Sequence, residues 1–135
     1  MGTTRRRYRN RLVTTADPDH LAEIRELMDA AISSQLVRPV RPMPADSFTT
    51  QTGTALLSRE FSSVTLRTFD VPLAIPAAQP VITYVASLRE PIVAMIGESL
   101  DFDAVLDDIA MEVEQAVQAQ GSFRATTHMG VFVCR

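Results

Sequence analysis

Two histidines and one cysteine carry most of the acid–base and nucleophilic chemistry open to these 135 residues. His20 is the stronger candidate. It follows a β-branched run from Leu12 to Thr15 that reads as a strand, and open α/β sheets place ligands at the carboxyl ends of their strands. Asp17 and Pro18 look like a helix start. Backbone amides and the helix dipole there disfavour an imidazolium, so a neutral His20 could take a proton from a substrate hydroxyl. The competing reading is a histidine packed against the cap or hydrogen-bonded to a loop carbonyl. His128 lies in a closing strand and shares a face with Thr126, which reads as a hydrogen-bonded histidine on a half-exposed sheet. Two distant histidines and the single Cys134 make no metal site. Asp101/Asp103 and Asp107/Asp108 fall early in a capped helix, where negative charge is favoured, and read as solvated. Met95, Met111 and Met129 are spaced as core filler. Gly-x-Ser-x-Gly, Walker and zinc spacings are absent from the sequence.

The elements that must position these groups alternate in type. Leu21, Ile24, Met28, Ala31 and Ile32 recur at helical spacing behind the first strand. Pro39, Pro42 and Pro44 make an extended loop of Val37 to Pro44. A second, shorter helix is expected within Phe48 to Phe61, and a strand from Ser62 to Asp70 that continues irregularly past Pro72. Pro80 reads as the first residue of a helix to Leu88, and Pro91 to Gly97 as a further turn or two. Asp101 then caps the clearest helix, with Phe102, Val105, Leu106, Ile109, Val113, Ala116 and Val117 on one stripe and Gly121 at its end. Phe123 to Cys134 closes the chain as a strand. A strand–helix–strand unit predicts a parallel pair with a right-handed crossover.

Composition is that of an ordinary globular domain, 46% hydrophobic and 21% charged, and no apolar run approaches a membrane span. One cysteine excludes an internal disulfide and makes the cytoplasm the default location. All thirteen basic residues are Arg, so lysine chemistry is closed, and the usage looks like that of a GC-rich bacterial genome. Arg5, Arg6, Arg7, Arg9 and Arg11 crowd one end, leaving eight Arg against sixteen acids elsewhere. With no recognition motif beside it, residues 1–11 read as a disordered, solvated basic arm and not as a nucleic-acid contact.

Leu12 to Leu21, then Phe48, Thr49, Gly53, Leu56 and Leu57, then Thr126 to Arg135 follow patterns found together elsewhere: LVxTT before a His-Leu helix, FTxxxGxxLL, and TTHxGVFVCR. In these, residues 12–135 resemble the C-terminal half of a class I S-adenosylmethionine-dependent methyltransferase of the small-molecule type. The resemblance implies a Rossmann-like α/β fold: a three-stranded mixed sheet with flanking helices, the strands at Leu12–Thr15 and Ser62–Asp70 parallel and the last, Phe123–Cys134, inserted antiparallel between them. It also implies that the helices from Pro80 to Gln120 flank a substrate pocket, with Thr15 and His20 near its mouth. S-adenosylmethionine would be the cofactor of the complete enzyme. Its glycine-rich loop has no counterpart here, because no two of Gly2, Gly53, Gly97, Gly121 and Gly130 lie close enough. The expectation is therefore a truncated or split methyltransferase, inactive alone, that binds no cofactor, holds no metal and carries no complete catalytic set. A second polypeptide with the other half, or a homodimer, would cover the strand edge this leaves open. The alternative is a non-catalytic α/β module for dimerisation or partner binding.

Overall fold

The computed structural model describes residues 10–36 and 48–135. Most of the basic arm and the proline-rich loop from Val37 to Pro44 lie outside the described residues. Three strands and five helices follow in the order β1 (Arg11–Ala16), α1 (Ala22–Leu36), α2 (Gly53–Leu57), β2 (Val64–Ile75), α3 (Ala78–Ala86), α4 (Arg89–Ile96), α5 (Phe102–Gln120) and β3 (Phe123–Cys134). The chain is mixed α/β.

The three strands form one open sheet in the order β1-β3-β2. β1 pairs antiparallel with β3, Val13 opposite Phe132 and Thr15 opposite Gly130. On the other side the Arg135 amide donates to the Ser63 carbonyl, and the Thr127 hydroxyl to the Val71 carbonyl. Numbers that fall along β3 as they rise along β2 mean a second antiparallel pairing. This corrects the expected mixed sheet. β1 and β2 run the same way, but β3 lies between them, so no parallel ladder forms among the described residues. β2 also runs on through Pro72 to Ile75. An outer strand tolerates a residue with no amide to donate.

The chain divides into two compact units. The first holds β1, α2 and the adjoining stretches of β2 and β3. Its interior is small and tightly fitted: Phe132 and Cys134 are fully buried, and Thr49, Thr50, Gly53 and Gly130 are buried beside them. The Phe48 and Phe132 rings meet at 5.7 Å between centroids. Gly53 and Gly130 are glycines for steric reasons. A Cβ on Gly53 would stand 2.4 Å from the Phe132 ring, and one on Gly130 2.5 Å from the Thr50 methyl. The turn that leads into α2 is closed by reciprocal bonds: the Gln51 and Thr52 amides donate to Thr49 Oγ1, and the Thr49 amide donates back to Thr52 Oγ1.

The second unit is helical and has its own core. Ile24, Met28, Ala31 and Ile32 of α1 pack with Val81 and Val85 of α3, Ile92 of α4, and Phe102, Val105, Ile109 and Val113 of α5. These are the stripes their 3.6-residue spacing implied. Asp101 caps α5 by accepting from the Ala104 amide at 3.1 Å, and Gly121 ends it in the left-handed region at φ 83°. Pro80 is the third residue of α3 and not the first, a position whose amide still lacks an intrahelical acceptor. Met95, Met111 and Met129 are exposed, so the reading of them as core filler is overturned. No helix among the described residues is long and apolar enough to cross a membrane.

Candidate functional site

The chemistry-bearing side chains of the first unit gather where β1 ends. β1 stops at Ala16, and the next residues form a tight turn instead of a helix. The Asp19 amide donates to Asp17 Oδ1 at 3.0 Å, and the His20 amide donates to the Asp17 carbonyl, also at 3.0 Å. Leu21 then takes the left-handed conformation, φ 51°, which a helix cannot include, so α1 begins only at Ala22. The expectation that Asp17 caps this helix is corrected. His20 belongs to the turn.

His20 is tied to the neighbouring strand. The His128 amide donates to His20 Nδ1 at 3.0 Å. A neutral imidazole that accepts at Nδ1 carries its proton on Nε2, so in this state Nε2 donates. The arrangement suits a hydrogen-bond donor better than the general base the sequence suggested. Thr15, one pair away, spends its hydroxyl proton on the Phe48 carbonyl at 2.9 Å, joining β1 to the segment that leads into α2. Thr15 lies at the end of β1 and His20 in the turn that follows it.

Three further groups join them. Asp17 Oδ2 accepts the Thr50 hydroxyl at 2.7 Å, and the Asp17 amide donates to the His128 carbonyl at 2.8 Å. The Asp19 amide, then the Thr50 hydroxyl, hold the Asp17 carboxyl below its ordinary range, against a smaller opposing effect of burial. His128 Nδ1 lies 2.7 Å from Asp70 Oδ1 across β3 and β2. That hydrogen bond, reinforced by the charges of Asp70, Asp17 and Asp19, raises the His128 pKa above 6.5, desolvation opposing it. With Nδ1–H turned to the carboxylate, His128 Nε2 makes no hydrogen bond among the described residues and can take a proton from a ligand.

Sequence reasoning named Thr15 and His20 as candidates but did not single out Asp70, Thr50 or the carboxylate of Asp17. The missing signal was register. With β3 antiparallel to β2 and Ser63 opposite Arg135, Asp70 must face His128. In the second unit, a shallow groove of about 790 Å³ runs past Arg89, Val93, Gly97 and Phe102. There Arg89 pairs with Asp103 at 2.6 Å and covers the Phe102 ring at 4.8 Å. Asp101 is used as a cap and Asp103 as an ion-pair partner, and no group of acids, histidines or cysteines among the described residues is arranged to hold a metal.

No known protein family matches the chain, and no curated protein matches it.

Proposed function

We propose that these residues are the substrate-side half of a cytoplasmic class I S-adenosylmethionine-dependent methyltransferase acting on a small molecule. The observation that carries this reading is the strand order. A C-terminal strand lying antiparallel between two strands of common direction is the arrangement the resemblance implies for the end of that sheet. The recurring residues also have a shared physical purpose. Phe48 and Gly53 fit against Phe132, so residues of the two most distinctive patterns are the two sides of one contact.

The reading places the cofactor outside the described residues. Gly53 and Gly130 are closed over by side chains, and Gly97 and Gly121 end helices. No two of them lie close enough in the sequence to form a glycine-rich nucleoside loop. On this reading a glycine-rich half comes from outside these residues, and Thr15, His20, Asp17, His128 and Asp70 handle the methyl acceptor.

The test joins the chain, ahead of Arg11, to the glycine-rich half of a class I methyltransferase. S-adenosylhomocysteine formation is then followed over a panel of hydroxyl- and amine-bearing small molecules. The expected result is turnover with some acceptors, lowered at least about tenfold by His20→Ala with S-adenosylhomocysteine affinity unchanged. A folded fusion that binds the nucleoside but turns over no acceptor contradicts the reading. A second reading, a non-catalytic dimerisation or partner-binding module, is favoured by the exposed Leu12 on the outer strand β1.

A further inference from the structure

The contact between Asp70 and His128 ties down one nitrogen of an imidazole and leaves the other open. Asp70 Oδ1, on β2, lies 2.7 Å from His128 Nδ1, on β3. An ionised carboxylate only accepts, so a neutral His128 keeps its proton on Nδ1 and presents a bare lone pair at Nε2. Nε2 makes no hydrogen bond among the described residues, and the side chain is 31% exposed, so a ligand can reach it. The titratable groups around His128 are Asp70 from β2 and Asp17, Asp19 and His20 from the turn after β1. His20 is uncharged while its Nδ1 accepts the His128 amide. The other three are carboxylates, and none is paired with an arginine among the described residues.

We propose that His128 Nε2 takes a proton from an alkylammonium ligand, with Asp70 as its positioning residue, so that the methyl acceptor is an amine. This rests on the reading that the strand-end cluster handles the acceptor. In the step, an N–H bond of the ammonium breaks and an N–H bond forms at Nε2. The positive charge moves from the ligand to the imidazolium, and the ligand nitrogen is left neutral with a free lone pair. His128 is the group whose geometry carries the proposal, and the surrounding carboxylates choose between acceptor classes. A hydroxyl acceptor would become an oxyanion close to Asp70, Asp17 and Asp19, where like charge is unfavourable. An ammonium becomes a neutral amine and meets no such repulsion. The same three carboxylates stabilise the proton once it sits on the ring.

The test is a titration of the full 135-residue chain with benzylamine and with phenol, followed by nitrogen NMR of its labelled histidine rings. Neutral His128 is expected as the Nδ1–H tautomer. Benzylammonium should shift the Nε2 resonance saturably and lower the apparent pKa of the ring, because it binds the neutral form. Phenol should do neither. His128→Gln should weaken benzylamine binding about tenfold or more, the loss expected for a hydrogen bond to a charged group. Asp70→Ala, at an exposed position, should release the tautomer and weaken binding with an unchanged circular dichroism spectrum. An Nε2–H tautomer in the wild type, no saturable shift with benzylamine, or a response to phenol as strong as that to the amine overturns the proposal. The methyl donor takes no part in this measurement. A joined protein that binds the nucleoside but turns over no acceptor therefore sinks the methyltransferase reading by itself, and the amine result is read separately.

Discussion

Two glycines and one histidine show how single residues act here. Gly130→Ala must push the Thr50 methyl and the Leu66 side chain aside, and Gly53→Ala must move the Phe132 ring. Each should cost about 1–3 kcal/mol, the usual penalty for overpacking, read as a lower urea midpoint at unchanged m-value. His128 sets a pH dependence. Its folded pKa is raised by Asp70, so its contribution to stability is complete below 6.5 and is lost as pH rises through the folded value. An NMR titration should place the ring above 6.5 and show Asp70→Asn bringing it down. A ring that titrates at or below 6.5 contradicts the pairing. Asp17 has the opposite sign. Its contribution is complete above 3.8 and fades as pH falls through its depressed pKa.

Among the elements, α5 is the most predictable and the most exposed to test. Ile109→Ala opens a cavity in the second unit's core and should cost about 2–5 kcal/mol. Asp101→Ala leaves the Ala104 amide without its acceptor and should cost about 1 kcal/mol. In α1, burial raises the Asp29 pKa, so that residue opposes stability once pH exceeds its folded value. Asp29→Asn should therefore raise Tm at neutral pH and leave it unchanged in acid. How legible each element was follows from how local its causes are. The α1 and α5 stripes, the Asp101 cap and the Gly121 terminus depend on neighbours a few residues apart and could be read directly. The late start of α1 could not, because Leu21 is held in a left-handed turn by its amide's bond to the Thr126 carbonyl, far along the chain. Sheet order has no local cause either: nothing near β1 or β2 says that β3 will lie between them, and only the resemblance implied it.

At the scale of the whole molecule, the candidate site was half legible. Thr15 and His20 follow a strand end and could be named from position alone. Asp70 and His128 meet only through a register fixed 58 residues apart. Phe48 and Gly53 fit against Phe132, and Thr50 against Gly130, so α2 and the turn before it are seated on the sheet by contacts far apart in sequence. The most direct measurement of the central claim is calorimetric titration with S-adenosylhomocysteine, run on the 135-residue chain alone and on the chain joined to a glycine-rich half. The substrate-side reading predicts no uptake by the chain alone and one-to-one uptake with micromolar affinity once joined. Micromolar binding by the chain alone, or a folded joined protein that takes up none, would contradict it.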